Sequence, residues 1–161
     1  CPHCGSRMAD MLVLDGRDAR LHFLGIDGIL TATCCPNCVS YEGPRLSRYA
    51  LDGGSEVLSC EDAGDTMYIE EELVRIFEND LILGETPVPL FCGARFEDVC
   101  TLGGFALWWQ DWEYTTCPDC GQPMKYLMQI HWDALTDYME GTLYIEFCPD
   151  CQIVSMQHQQ T

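Results

Sequence analysis

The sequence predicts an α+β protein, mostly antiparallel β, in which two duplicated cysteine-bearing β units are joined by an irregular segment with one helix. Four C-P-x-C pairs occur along the 161 residues as two matching sets. Apolar segments with strand-like patterns lie between the two pairs of each set. The segment between the two sets is rich in glycine, serine and acidic residues, which is typical of a connection rather than of a sheet.

The two units correspond position by position. Each begins with a C-P-x-C-G-x-x-M string, at residues 1–8 and 117–124, and each ends with a second C-P-x-C pair, at 35–38 and 148–151. Glycine and leucine residues between the pairs also match when the cysteines are aligned. Self-similarity of this kind predicts an internal duplication.

Each unit predicts two strands joined by a loop that contains glycine. Residues 8–15 and 124–132 are apolar and predict the first strand of each unit, and residues 28–34 and 141–148 predict the second strand, which runs back beside it. The last of these segments alternates apolar and polar residues, a period of two that indicates a strand. A hairpin with a Cys-x-x-Cys turn on each arm is the arrangement of a zinc ribbon, which we therefore expect for both units.

The eight paired cysteines are predicted to bind metal. Two thiolates at this spacing can bind one ion, while proline fixes φ in the turn and glycine permits the left-handed conformation after it. Four sulfur atoms in a tetrahedron suit zinc, so we expect two Zn²⁺ per chain. The predicted ligands are Cys1, Cys4, Cys35 and Cys38 in the first unit and Cys117, Cys120, Cys148 and Cys151 in the second.

Cys34 and Cys35 are adjacent, and either has the chemistry of a ligand. Cys35 aligns with Cys148, whereas Cys34 aligns with the apolar Phe147. The alignment therefore predicts that Cys34 is a small buried residue. The remaining cysteines, Cys60, Cys92 and Cys100, lack paired spacing and are expected to be ordinary thiols.

Iron is the alternative occupant of these sites. C-P-x-C-G turns separated by about thirty residues also describe rubredoxin, an electron carrier whose iron is held by four cysteines, and the separations here are 30 and 27 residues. The second turns end in Val39 and Gln152, where a rubredoxin usually repeats the glycine. This difference favours zinc, and a rubredoxin-type iron carrier is the alternative function.

The expected division of the chain has three parts. The first unit covers residues 1–45, an acidic connecting segment covers 46–86, and a glycine- and tryptophan-rich strand with the second unit covers 87–161. Residues 41–65 predict a loop with at most one short strand. Residues 66–79 follow an aspartate that could cap them and contain early glutamates, which predicts a helix.

An aromatic strand is predicted within residues 100–114, after the double glycine Gly103–Gly104. Three tryptophans lie close together there, at Trp108, Trp109 and Trp112. Core packing is the default expectation for such a cluster, but three tryptophans in five residues cannot all face inward on one strand. At least one is expected near the surface, where it could bind a partner.

The charge of the chain restricts its partners. The sequence has 26 acidic and 8 basic residues, for a formal charge of −18. Such a surface repels the phosphate backbone, so no nucleic acid is expected, and no apolar run is long enough to predict a membrane span. The acidity favours a basic protein partner, with solubility alone as the alternative.

Cysteines paired for metal predict a reducing compartment, which we take as the cytoplasm.

No pattern in the sequence predicts catalysis. The chain lacks a glycine-rich phosphate loop and a Ser–His–Asp or Cys–His pattern, and four thiolates leave a metal no open position. We therefore expect no enzyme activity.

The run "LGGFALWWQDWEYTTCPDCGQPMKYLMQI", with "GTLYIEFCPDC" downstream, resembles the bacterial YwqG-like domain of unknown function. That superfamily includes the eukaryotic programmed cell death protein 2. The resemblance is strongest over residues 100–161 and weaker over 1–38, and Phe105 and Ala106 replace the family's more usual proline-containing turn. It implies a protein-binding role, chaperone-like or immunity-like.

Overall fold

The computed structural model describes residues 1–39, 44–59, 80–84, 100–137 and 139–160. The predicted helix over 66–79 and the cysteines Cys60 and Cys92 lie outside the described residues. Among the residues that are described, no helix is long and apolar enough to cross a membrane.

Strands dominate the described residues, and helices are short. The elements in chain order are β1 (Ala9–Asp15), a 3-10 helix (Ala19–Leu24), β2 (Ile29–Cys34), the single-turn helix α1 (Pro36–Val39), β3 (Arg45–Tyr49), β4 (Ser55–Ser59), β5 (Thr101–Leu102), β6 (Lys125–His131), a second 3-10 helix (Trp132–Ala134), β7 (Thr142–Cys148) and β8 (Ile153–Gln159). Neighbouring strands pair antiparallel, in one sheet of order β1-β2 and one of order β4-β3-β8-β7-β6-β5. The predicted fold class, mostly antiparallel β, is confirmed.

The hairpins β1–β2 and β6–β7 have the same internal geometry. Their first strands both contain seven residues, and both have a register irregularity at the second to fourth residue, Asp10 to Leu12 and Tyr126 to Met128. A hydrogen bond from a backbone N–H to the carbonyl of Gly28 (2.8 Å) or Gly141 (3.1 Å) closes the loop end of each hairpin. These features coincide position by position under the cysteine alignment.

One apolar core lies between the β1–β2 hairpin and one face of the six-stranded sheet. Cys34 is 2% exposed within this core, next to apolar residues of β1 and β2. Its counterpart Phe147 is also buried there. Burial of apolar surface at about 25 cal/mol per Å² makes such a core the main stabilising contribution to the fold. The fully buried members from both sheets include Leu30, Ala32, Leu127, Leu143, Ile145, Val154 and Met156.

The prediction that residues 41–65 form a loop with at most one short strand is wrong, since β3 and β4 both lie there and form a hairpin that extends the large sheet. The turn between them also contacts β2, because the N–H of Ile29 donates to the carbonyl of Leu51 (2.9 Å) and the hydroxyl of Thr31 donates to the carbonyl of Gly53 (2.9 Å). Arginine and serine interrupt the apolar pattern of β3, so its period of two gives little hydrophobic signal.

The predicted aromatic strand is wrong beyond Leu102. Residues 103–116, which we call the strap, cross the other face of β6, β7 and β8 without forming a strand. Polar side chains of this face bind the strap's backbone. The Gln129 side-chain oxygen accepts from the N–H of Leu107 (2.8 Å), and the Tyr144 hydroxyl donates to the Leu107 carbonyl (2.5 Å). Glutamine offers both a donor and an acceptor, so side chains replace a strand partner here.

The double glycine at the start of the strap supports a testable prediction. Gly103 (φ +74°) and Gly104 (φ +82°) both have left-handed backbones, and a Cβ on Gly103 would lie 3.0 Å from the ring of Phe23, whereas a Cβ on Gly104 would meet nothing within 4 Å. Gly104→Ala should cost about 1 kcal/mol of unfolding free energy from backbone strain alone. Gly103→Ala should cost measurably more, as urea unfolding would show. Equal losses would mean that the Phe23 contact is unimportant.

Candidate metal centres

The first cluster, which we call centre 1, contains the sulfur atoms of Cys1, Cys4, Cys35 and Cys38. All four lie within 4.8 Å of one another. The Sγ atoms of Cys1 and Cys38 are 3.7 Å apart, and those of Cys4 and Cys35 are 3.5 Å apart. A disulfide would need about 2.05 Å, whereas a tetrahedron of sulfurs about 2.3 Å from a metal has edges of roughly 3.8 Å. The cluster therefore has the size of a metal site.

Centre 2 contains the sulfur atoms of Cys117, Cys120, Cys148 and Cys151, again within 4.8 Å of one another. The Sγ atoms of Cys120 and Cys148 are 3.8 Å apart. Cys117 and Cys148 are buried, whereas Cys120 is exposed. Each cluster could hold one metal ion, and the structure brings together the two sets that the sequence predicts, with Cys35 rather than Cys34 in the first.

Local backbone structure positions these cysteines. In both first turns a glycine N–H donates to the carbonyl of the first cysteine at 2.9 Å, from Gly5 to Cys1 and from Gly121 to Cys117. Both glycines have left-handed φ, 76° and 70°. The second turn of centre 1 directly follows β2, and that of centre 2 begins at Cys148, the last residue of β7, so each hairpin brings its two turns together.

The second turns differ from each other. Val39 ends the single-turn helix α1, whereas Gln152, its counterpart, has a left-handed φ of 57°. The Gln152 carbonyl accepts from the N–H of Tyr49 (2.9 Å), which ties this turn to β3. A tertiary contact thus holds a conformation that glycine would adopt with less strain.

The electrostatics of centre 1 favour a cation. Burial and the neighbouring cysteines raise the pKa of Cys38, and burial raises that of Cys35. Burial also acts on Cys4, but hydrogen bonds from Ser6, Cys35 and Cys38 outweigh it and lower the pKa of Cys4 to about 6. Four adjacent sulfurs cannot all ionise without a positive charge among them, and a divalent metal supplies that charge.

Two arginines of β3 that the sequence does not predict as site residues contact the centres. The Arg45 guanidinium donates to the carbonyl of Cys38 (3.1 and 3.0 Å), and the Arg48 guanidinium donates to the carbonyl of Cys151 (2.8 Å). Their spacing of three positions is not a distinguishing signal, since Arg17 and Arg20 are spaced in the same way. Nothing in the sequence alone connects them to either cysteine set.

The three predicted tryptophans have different environments. Trp108 packs on Tyr144, with ring centroids 4.4 Å apart. The Trp109 indole N–H donates to the hydroxyl of Thr142 (2.7 Å). Trp112 is 84% exposed. Two tryptophans therefore attach the strap to the sheet, and the third faces solvent.

The remaining candidate residues belong to neither cluster. Cys100 is exposed, and its sulfur accepts from the backbone N–H of His131 (3.4 Å). His131 is buried, and its ring lies 5.8 Å from that of Trp109. His158 accepts a hydrogen bond from the indole of Trp132 (2.8 Å). Both histidines therefore pack against tryptophan side chains of the protein.

The fold and the two clusters define a mostly antiparallel β protein with two candidate Cys4 metal centres. The chain is similar to YpfL of Salmonella typhimurium, an uncharacterised protein, with 27% identity over 172 aligned residues. The alignment covers the whole of this chain and 39% of that relative, so the chain spans about two fifths of the relative's length. No family model and no solved structure matches the chain, and the resemblance to the YwqG-like family stays a prediction.

Proposed function

We propose that the protein is a non-enzymatic, zinc-stabilised module that binds a basic partner protein in the cytoplasm. The two Cys4 centres serve structure, and the strap presents the interaction surface. The observation that supports this most directly is the exposure of Trp112, which is 84% accessible while its neighbours Trp108 and Trp109 are tied to the sheet.

The composition of the centres supports zinc in a structural role. Four thiolates at tetrahedral spacing are the ligand set of structural zinc sites, and they leave no coordination position for a water or a substrate. The ion would contribute folding free energy and no reaction chemistry. Iron remains the alternative occupant, and a red ferric tetrathiolate colour would distinguish it from colourless zinc.

The exposed side of the strap combines apolar and acidic groups. Trp112 lies between Asp111 and Glu113, both of which are exposed, and Phe105 at the start of the strap is 86% exposed. Large exposed aromatics are typical of the residues that contribute most to protein–protein binding. Carboxylates beside them favour a partner that presents lysine or arginine around an apolar pocket.

The net charge supports the same choice of partner. The formal charge of −18 counts the cysteines as neutral; eight thiolates add −8 and two divalent ions return +4, which gives −22. A field of that sign accelerates encounters with a cationic protein and disfavours nucleic acid. By resemblance, the role would be chaperone-like or immunity-like.

The association rate and the lifetime of the complex test the two parts of this proposal. The immobilised, metal-loaded protein is used to capture a partner from a host lysate at low salt, and binding of the purified partner is then measured across a salt series. We expect a basic partner whose association rate falls with rising salt. Trp112→Ala should raise the dissociation rate roughly thirtyfold, the effect of losing a central aromatic contact.

Val13→Ala is a matched control, because Val13 is a 60% exposed apolar residue on β1 rather than on the strap. An association rate that does not change with salt would contradict the electrostatic part of the proposal. Equal dissociation rates for Trp112→Ala and Val13→Ala would remove this aromatic from the interface.

A further inference from the structure

We propose that β3 is a shared support for both metal centres and couples them, so that metal bound at one centre raises the affinity of the other. The inference rests on the metal binding proposed above. It concerns Arg45 and Arg48, which the structure places beside the two clusters but which are not ligands.

The two arginines make the same contact in the two units. Arg45 donates from Nε and Nη2 to the carbonyl of Cys38, at 3.1 and 3.0 Å, and Arg48 donates from Nη1 to the carbonyl of Cys151, at 2.8 Å. Cys38 and Cys151 are equivalent, since each is the last cysteine of its set. One five-residue strand therefore holds the corresponding turn of both centres.

Arg48 also links the two turns of centre 2 to each other. Its Nη2 donates to the carboxylate of Asp119 (2.9 Å), which lies between Cys117 and Cys120, while its Nη1 holds the second turn. A fork of donors can bind two acceptors at fixed geometry, which a lysine cannot do. Removal of Arg48 should therefore loosen both halves of centre 2.

Arg45 supplies positive charge next to centre 1. It is 4% exposed and pairs with no carboxylate among the described residues. Burial of a cation is unfavourable unless negative charge lies nearby, and a divalent ion with four thiolates carries two net negative charges. The loaded centre would thus compensate the charge of Arg45, and Arg45 would favour the loaded form.

The position of β3 depends on both units. The strand pairs with β8, which directly follows the second turn of centre 2, and its Tyr49 is buried in the core shared with the β1–β2 hairpin. Loss of metal at either centre would free a turn that holds β3. Because coupling between two sites is reciprocal, loss at one centre should weaken the other by the same factor.

Metal affinity provides the test, with Zn²⁺ titrated against a chromophoric chelator. Bound Cd²⁺ gives each tetrathiolate centre its own NMR resonance and so identifies which centre fills. In a Cys4→Ser background, where only centre 2 is complete, Arg48→Gln should weaken binding at least tenfold, as is usual for residues that orient metal ligands. Arg17→Gln is the matched control, since Arg17 is an exposed arginine paired with Asp15 at the far end of β1.

The coupling is tested at centre 1. Cys120→Ser, which disables centre 2, should lower the Zn²⁺ affinity of centre 1 at least fivefold. Arg48→Gln alone should weaken centre 1 as well, but it should add little when combined with Cys120→Ser, because both changes interrupt the same connection. Additive effects would show that the coupling passes through the shared core instead, and would overturn the role of β3. Arg45→Lys, which keeps the charge but loses the paired hydrogen bonds, should weaken centre 1 and retain the fold.

Metal content of the unaltered protein separates failure of this inference from failure of the proposed function. Fewer than two ions per chain would overturn both. If the unaltered protein holds two ions, but Arg48→Gln and Arg17→Gln have Zn²⁺ affinities within twofold of each other at both centres, the role of β3 would be overturned. The structural role of the metals would then stand.

Discussion

Removal of the metal ions should unfold both cysteine-bearing ends of the protein, at a cost on the order of ten kcal/mol per centre. The structure gives the reason. Around centre 1 the buried cluster consists of Cys35 and Cys38 with Cys1, Cys4 and Met8 packed against it, so apart from the ligands it contains one apolar side chain. Around centre 2 the cluster is Cys117, Met124, Cys148 and Ile153, with Leu46 and Cys151 beside it. Such small apolar groups cannot hold the turns without a metal.

The measurement has two parts. Elemental analysis of the purified protein should give two metal ions per chain, chiefly zinc. A strong chelator, added with reductant at neutral pH, should then abolish the protection of backbone amides in residues 1–8 and 117–124 against hydrogen exchange. Protection that survives complete metal removal would contradict the prediction.

Two adjacent cysteines provide a matched pair of variants. Cys35→Ser should leave one metal ion per chain, because its sulfur belongs to centre 1. Cys34→Ser should retain two, since Cys34 lies in the apolar core, and should cost stability only through the hydroxyl placed there. The reverse result would show that the alignment of the two units is displaced by one residue.

The features that sequence predicts well are local. A Cys-x-x-Cys turn brings two sulfurs together over four residues, and an apolar hairpin of matching length brings the next turn to the same point. The alignment of Cys34 with Phe147 then places Cys34 in the core, because strand alternation gives both residues the same orientation. Such features require no knowledge of the rest of the chain.

The strap and β3 depend on distant contacts and could not be predicted in the same way. Gln129 and Gln159 bind the strap through side chains, a pattern with no period of its own. Arg45 and Arg48 are ordinary in sequence, and only the pairing of β3 with β8 brings them to the centres. Hydrophobic periodicity reports which face of an element is buried, but not which polar groups bind one another.

A buried carboxyl under the strap should make stability depend on pH. Glu146 lies on β7, is 0% exposed, and accepts a hydrogen bond at Oε2 from the backbone N–H of Thr115 (2.8 Å). Its Oε1 has no hydrogen-bond partner in the described part of the chain. Burial raises the pKa of Glu146 to about 7, with a smaller contribution from the charge of Glu113, and the Thr115 hydrogen bond opposes the shift.

The sign of the effect follows from the direction of this shift. The folded protein holds the Glu146 proton more tightly than the unfolded chain, whose glutamate has a pKa near 4.5. This contribution to stability is fully present below pH 4.5 and is lost as the pH rises through about 7. Between about pH 5.5 and pH 8, the unfolding free energy of the metal-loaded protein should fall by roughly 2 kcal/mol because of this one group.

Glu146→Gln should remove that dependence. The amide oxygen can still accept from Thr115, but the side chain no longer ionises. As the pH rises from about 5.5 to 8, the unaltered protein should therefore lose roughly 2 kcal/mol of unfolding free energy that the variant keeps. Urea unfolding at a series of pH values measures it, with metal content checked at each pH because Cys148 lies two residues away. Glu56→Gln, which alters an exposed glutamate of β4, is the control and should leave the profile unchanged. Parallel profiles for Glu146→Gln and the unaltered protein would mean that water reaches the carboxyl, and that the strap does not seal this face of the sheet.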